Sequence, residues 1–278
     1  MKSIFLAFVG VILFTQAISQ PEIKVNSATP LSIGEKVEFR SGILNEDRSI
    51  NIYLPNGYNA DSIQKYPVIY LLDGSIDEDF IHISGIVQFA SFSWIEMIPE
   101  SIVVGISNVD RKRDFTFPSK NSRDLKEFPT TGKSERFINF IEKELQPIIE
   151  SRYKTDSNKT LIGQSLGGLL ATEILMKKPD LFDNYIIVSP SIWWDDKSLL
   201  KFTPNSYTSK KSIYIGVGKE GYGMEEDAEA LFTKLNLIKK ENTDLFFEYY
   251  PEHDHGDVLH YAVYKAFDII FGKKKKNE

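Results

Sequence analysis

Thr160-Leu161-Ile162-Gly163-Gln164-Ser165-Leu166-Gly167-Gly168 is the stretch that decides how this chain folds. The apolar run ending at Ile162 predicts a buried strand, and the residues from Leu169 to Lys177 form a helix-favouring run. Between them lies a serine flanked by glycines. Glycine leaves room where two backbone segments approach closely. The stretch therefore predicts a strand, a sharp turn carrying Ser165, and a helix.

This order of elements is that of the nucleophile elbow of α/β-hydrolases, where the turn serine attacks a carbonyl carbon. The first turn of the helix offers free N–H groups and a positive dipole end beside Ser165, where an oxyanion can form. The alternative is a glycine-rich strand–helix turn in which Ser165 only caps the helix. A bare G-x-S-x-G pattern also occurs by chance, so the interpretation depends on the remaining parts of such a site.

Further strands are indicated by apolar runs along the chain. Continuous runs are typical of strands buried on both faces of a parallel sheet, and they alternate with helical stretches. Two earlier segments alternate polar and apolar residues and predict exposed antiparallel strands. The sequence thus predicts an α/β-hydrolase fold, with about eight strands in a mostly parallel sheet and helices on both faces. The segments are Glu35–Ser41, Arg48–Leu54, Pro67–Leu72, Ile102–Ile106, Tyr185–Val188, Ile213–Val217 and Leu245–Tyr250.

The N-terminus has the features of a secretory signal peptide. Lys2 supplies a positive charge, Ile4–Phe14 is apolar, and Ala17-Ile18-Ser19 has a small-x-small cleavage pattern. We expect residues 1–19 to be the signal peptide, residues 20–272 a single α/β-hydrolase domain, and residues 273–278 a basic disordered tail. This predicts a secreted or periplasmic protein with no stable membrane insertion after cleavage. A retained membrane anchor is the alternative.

Composition narrows the possible chemistry. The net charge of −6 gives no reason to expect nucleic acid as a partner. The chain has no cysteine, which excludes disulfides, a thiol nucleophile and cysteine-ligated zinc. We expect no metal and no organic cofactor. The oligomeric state is left open.

The candidate base is a histidine near the C-terminus. A serine hydroxyl needs a base to take its proton, and in this fold the order is serine, acid, histidine. His253 and His255 both follow the last predicted strand, whereas His82 precedes the elbow and His260 lies within the last helix. We favour His255 because it precedes a glycine and opens the helix, so its ring can point back over the sheet. Two solvated loop histidines are the alternative.

The acid and the oxyanion donors are predicted from position. Glu220 is the first carboxylate after the strand that ends at Val217, and it would orient the imidazole. Glu225–Asp227 are better explained as favourable charges at a helix N-terminus. A Ser–His dyad without a dedicated acid is the alternative. The oxyanion would accept hydrogen bonds from the N–H groups of Leu166 and Ser75.

Several side chains are candidates for binding substrate because they follow predicted strands at the carboxyl edge of the sheet, where ligands bind in such folds. Aromatic rings there could stack on a ring of the substrate. Packing of a tryptophan in the core is the alternative. The candidates are Arg113, Phe115, Phe117, Trp193 and Trp194.

Five segments together resemble the putative esterase family of α/β-hydrolases. That family includes esterase D-like enzymes, feruloyl and acetyl-xylan esterases, and esterases that open trilactone siderophores. By this resemblance Ser165 matches the nucleophile and His255 the catalytic histidine. The family's acid is less regular, so Glu220 gains little from the comparison. The segments are Val68–Gly74, Asn108–Phe115, Gly163–Gly168, Ser189–Trp194 and Tyr250–Val258.

The resemblance implies a serine carboxylic-ester hydrolase that acts through an acyl-enzyme. The substrate would be a small molecule or an oligosaccharide, either an acylated saccharide or a siderophore-type ester. Two alternatives stay open. One is a serine acyltransferase using the same residues, and the other is a non-catalytic binding protein on a hydrolase scaffold.

Overall fold

Eight strands form one sheet in the computed structural model, which describes residues 24–272. They are β1 (Glu35–Ser41), β2 (Glu46–Tyr53), β3 (Tyr66–Leu71), β4 (Ile102–Ile106), β5 (Thr155–Gln164), β6 (Asn184–Val188), β7 (Lys211–Gly218) and β8 (Thr243–Tyr250). Their order in the sheet is β1-β2-β4-β3-β5-β6-β7-β8. The strand β2 is antiparallel to both β1 and β4, and the remaining neighbours are parallel. The predicted α/β-hydrolase fold is confirmed.

Helices connect the strands from β3 onward. They are α1 (Phe80–Ala90), α2 (Arg111–Phe115), α3 (Ser122–Glu127), α4 (Ser134–Phe140), α5 (Gln146–Arg152), α6 (Leu166–Lys177), α7 (Trp194–Lys197), α8 (Tyr222–Ile238) and α9 (Val258–Phe271). A π-helical segment, Ile141–Leu145, joins α4 to α5. The helical stretch from Ser134 to Arg152 is therefore continuous but wider at its centre.

The sheet is covered on both faces because side chains along a strand alternate between them. Tyr70 and Leu72 belong to the larger core cluster, which includes α6. Ile69 and Leu71 belong to the other cluster, which packs under α1 and α9. The predicted helical layers on both faces are thus confirmed.

The predicted signal peptide, residues 1–19, and the basic tail, residues 273–278, lie outside the described residues. Residues 24–32 have no regular secondary structure, and the described residues from Ile33 onward form one compact unit. Within the described part of the chain, every helix is too short or too polar to span a membrane.

The glycines around Ser165 are required by close backbone contacts. A Cβ atom at Gly163 would lie 2.5 Å from the carbonyl oxygen of Gly167. A Cβ atom at Gly168 would lie 2.9 Å from the Cα of Pro190. Neither site accepts a larger residue unless backbone moves, which is why the strand and helix can cross so tightly at this turn.

Gly163→Ala should therefore destabilise the fold. The added methyl group meets backbone atoms that cannot rotate away, and overpacking of this kind costs about 1–3 kcal/mol. The measurement is the free energy of unfolding from urea denaturation. Gly85→Ala in α1 is the matched control, because nothing lies within 4 Å of its Cβ position. That change should be neutral or slightly stabilising, and equal effects of the two substitutions would contradict the explanation.

Candidate active site

Ser165 lies in a strained backbone conformation between β5 and α6. Its φ of 59° and ψ of −121° fall in a region that side-chain-bearing residues rarely adopt. Neighbouring segments fix it there. Its N–H donates to the Val188 carbonyl at 3.1 Å, and its own carbonyl accepts from the Leu169 and Ser191 N–H groups at 2.9 and 3.0 Å. Strain that is held by surrounding hydrogen bonds is frequent at functional sites.

His255 and Glu220 come together because they follow neighbouring parallel strands. Gly218 at the end of β7 is paired with Tyr250 at the end of β8, so the loops that follow are adjacent. The Lys219 N–H donates to the His253 carbonyl at 2.6 Å and joins the two loops. His255 Nδ1 then lies 2.5 Å from Glu220 Oε2.

Glu220 is held by further donors within the protein. Its Oε1 accepts from the Ser189 hydroxyl and from the Gly218 N–H at 3.1 Å. Ser189 is fully buried and has a φ of 43°. The Glu220 side chain is only 3% exposed, whereas that of His255 is 47% exposed. A buried carboxylate thus supports a half-exposed imidazole.

The pairing shifts both acidities. Burial alone would raise the pKa of Glu220, but hydrogen bonds from His255 and Ser189 outweigh it and hold that pKa below its usual value. The hydrogen bond to Glu220 raises the pKa of His255 above its usual value against the opposing effect of burial. Nδ1–H donates to the carboxylate in this arrangement, which leaves Nε2 free to accept a proton.

Ser165 and His255 line one open cleft of about 600 Å³. Ser191 also lines it, and its hydroxyl oxygen lies 3.4 Å from that of Ser165. The structure therefore places the predicted nucleophile, base and acid around the same space. The other lining residues are Trp193, Lys219, Met224 and Asp254.

His253 is engaged elsewhere. Its Nδ1 lies 3.0 Å from Asp257 Oδ2, and its ring stacks on Tyr261 with 3.7 Å between centroids. The buried carboxylate of Glu220 is paired with His255. This arrangement favours His255 over His253 as the base.

The two predicted oxyanion donors differ in their surroundings. Leu166 is the first residue of α6, so its N–H has no acceptor within the helix. The Ser75 N–H donates to Glu78 Oε2 at 3.2 Å, and the same carboxylate accepts from Asn108. Ser75 can bind an oxyanion only if the Glu78 side chain moves away.

Two of the residues predicted to bind substrate lie in the core instead. Phe115 and Trp194 are fully buried. Trp194 donates its indole N–H to the Phe117 carbonyl at 2.9 Å, and Phe115 packs on Phe137. The prediction for these two side chains is wrong, because an aromatic residue that follows a strand can close the core as readily as it lines a cleft. Phe117 is also buried.

Arg113 and Trp193 have different outcomes. Arg113 is bound by Glu46 and Asp114, and it lines a separate cavity of about 40 Å³. Its partners thus occupy the guanidinium, which corrects the prediction that it binds substrate. Trp193 lines the cleft beside Ser165, so among the five candidates it alone has the predicted location.

Arg111 is a residue at the site that the sequence did not reveal. Its guanidinium forms two hydrogen bonds to Asp73, at 2.6 and 2.9 Å, and a third to the Gln164 carbonyl at 3.3 Å. Gln164 in turn donates its amide to the His255 carbonyl at 2.6 Å. This chain of contacts ties the elbow to the histidine loop. The sequence offered two arginines two positions apart, and nothing in it distinguished Arg111 from Arg113.

Comparison with known proteins identifies a family and relatives that this chain resembles. The model of a protein family described as "Putative esterase" matches residues 41–257. Ferri-bacillibactin esterase BesA of Bacillus subtilis is 31% identical over 245 residues, which is 80% of this chain and 84% of that protein.

Solved structures show the same architecture. An IroE-like serine hydrolase from Shewanella oneidensis has a TM-score of 0.75 and 33% identity, covering 86% of this chain and 80% of that one. The BES protein from Bacillus cereus has a TM-score of 0.78 and 28% identity, covering 89% and 98%.

Proposed function

This chain belongs to the Putative esterase family, and we propose that it is a serine hydrolase of siderophore-type carboxylic esters. The observation that carries the proposal is the hydrogen bond from His255 to the buried Glu220 in the cleft that Ser165 lines. A nucleophile, a base and an orienting acid in this order are what acyl transfer to serine requires. The names of the relatives, an esterase of a ferric siderophore and a serine hydrolase, support the same reaction.

The proposed reaction has two halves. His255 Nε2 takes the proton of the Ser165 hydroxyl as its oxygen attacks the ester carbonyl carbon. The resulting oxyanion accepts a hydrogen bond from the Leu166 N–H. His255 then gives the proton to the departing alcohol oxygen, which leaves an acyl ester on Ser165. Water attacks that ester by the same proton path and releases the carboxylic acid, while Glu220 stabilises the imidazolium in both halves.

The lining of the cleft suits a siderophore-type ester. The cleft is open and therefore accommodates a bulky substrate. Trp193 presents an aromatic ring on which a catechol can stack. Lys219 lines the same cleft together with the carboxylates of Glu220 and Asp254, so the charges of the lining do not choose between the two substrate classes. The names of the relatives favour the siderophore ester over an acylated saccharide.

The test is hydrolysis of bacillibactin, both ferric and iron-free, by the purified protein, with product acids separated by chromatography. Para-nitrophenyl acetate is assayed in parallel as an ester with no chelating group. We expect both to be hydrolysed. Turnover of the nitrophenyl ester alone would overturn the substrate class and direct attention to feruloylated and acetylated saccharides. Failure of the folded protein to hydrolyse either would favour a binding protein.

The pH profile should report the pairing of His255 with Glu220. The base must be neutral to take a proton, so kcat/KM falls as pH decreases through its pKa. Since Glu220 holds that pKa above the usual 6.5, the acid limb for para-nitrophenyl acetate should have its midpoint above 6.5. Glu220→Gln should move this midpoint to lower pH in the residual activity. An acid limb that stays in place in the variant would contradict the assignment.

A further inference from the structure

Another cavity lies at the opposite end of the sheet from the candidate active site. It has a volume of about 240 Å³ and lies beside the first residues of β7 and β8, whereas Glu220 and His255 follow the last residues of those strands. Its walls are largely apolar. They come from α6, the loop before β7, the two strands and α8, and they include Leu175, Tyr207, Ile213, Leu235 and Leu245.

Three polar side chains of the lining are hydrogen-bonded within the protein, and the first is Asn205, whose amide donates to the Lys177 carbonyl at 2.5 Å. The Tyr207 hydroxyl and Thr243 Oγ1 are hydrogen-bonded to each other at 2.5 Å, so the polar atoms of both side chains are already partnered. A buried water needs two to four polar partners. An apolar group that fills this space would gain dispersion contacts that an empty cavity forfeits.

The charges around the cavity are all positive. Lys234, Lys239 and Lys240 belong to its lining, and no carboxylate does. The chain as a whole has 39 acidic and 33 basic residues, so a lining with three lysines and no acid departs from its average. Lys240 donates to the Tyr207 carbonyl. Within residues 24–272, Lys234 and Lys239 form no ion pair.

We propose that this cavity binds a medium-chain aliphatic carboxylate. The alkyl chain would occupy the apolar space, and the carboxylate would meet the ammonium groups of Lys234 and Lys239. Lys239 is exposed and Lys234 is half-buried, so both ammonium groups can reach water while their stems line the cavity. The volume lies just below the 300–1,000 Å³ range of ordinary ligand pockets, which favours a single short chain over a larger lipid.

The experiment is calorimetric titration of the full-length protein with octanoate, with octylammonium as the ligand of opposite charge. We expect saturable binding of octanoate and at least about tenfold weaker binding of octylammonium. Ser206→Trp should abolish the binding, because Ser206 is an exposed residue of the lining and a tryptophan there blocks the opening. Lys234→Glu should weaken it by about tenfold or more while leaving the apolar walls intact.

A matched control separates this cavity from the candidate active site, where a carboxylate product could also bind. Trp193→Ala alters the catalytic cleft and should leave octanoate binding unchanged. Loss of binding in Trp193→Ala with retention in Ser206→Trp would overturn the proposal by assigning the carboxylate to the cleft. Absence of saturable binding by the folded protein, or equal binding of the two ligands, would overturn it as well. None of these outcomes depends on ester hydrolysis.

Discussion

Ser165→Ala should reduce kcat for para-nitrophenyl acetate by roughly 10⁴- to 10⁶-fold. The hydroxyl is the proposed attacking group, and alanine leaves the path through an acyl-enzyme without a nucleophile. Residual hydrolysis above the rate in water would come from the oxyanion donors and from binding alone. Steady-state kinetics with the purified variant, after its folding has been checked by circular dichroism, gives the measurement.

Ser191→Ala is the matched control for this change. Ser191 is a serine in the same cleft, and its oxygen lies only 3.4 Å from that of Ser165. Ser191 has no covalent role in the proposed reaction, so the Ser191 variant should keep activity within about tenfold of wild type. If Ser165→Ala retained most of the activity, or if only Ser191→Ala lost it, Ser165 would not be the nucleophile.

Glu220→Gln should reduce kcat by about 10³- to 10⁴-fold. The amide has the shape of the carboxylate, but its NH₂ group would face His255 Nδ1 and favour the wrong tautomer. The charge that stabilises the imidazolium would be lost too. The variant keeps the oxygen that accepts from Ser189 and Gly218, so the loop can keep its place. The measurement is kcat for para-nitrophenyl acetate in variant and wild type.

Glu252→Gln is the matched control for the acid. Glu252 is exposed and lies in the loop that carries His255, so its substitution removes one negative charge nearby without touching the pair. That variant should behave as wild type. Nearly full activity in Glu220→Gln would instead show that the site works as a dyad of Ser165 and His255, which is the alternative that the sequence left open.

Patterns within single segments account for the part of the fold that was predictable. The continuous apolar runs identified the buried parallel strands because both faces of such strands are covered. The helix α1 was not predicted, since the residues from Ser75 to Pro99 mix aromatic, acidic and histidine residues without a clear period. The position of α1 is fixed by packing against α9 on one face of the sheet. This is a contact between distant parts of the chain.

In the candidate site, too, some features could be predicted from the sequence and others could not. The meeting of Ser165, His255 and Glu220 at one cleft was predictable because this fold brings the residues that follow particular strands to the same edge of the sheet. Their catalytic roles stay predictions. Exposure was not predictable, which is why Phe115 and Trp194 were misassigned to the cleft.

Contacts between side chains far apart in the chain could not be predicted from one sequence. The ion pair between Asp73 and Arg111 joins residues 38 positions apart, and Ser189 reaches Glu220 over 31 positions.

The most direct test of the central claim is covalent labelling with a fluorophosphonate, followed by mass spectrometry of the peptides. The reagent reacts with a serine that an adjacent base activates. We expect one adduct per chain, on the peptide that contains Ser165, and none in Ser165→Ala. An unlabelled, folded wild-type protein, or an adduct on Ser191 or another serine that persists in Ser165→Ala, would contradict it.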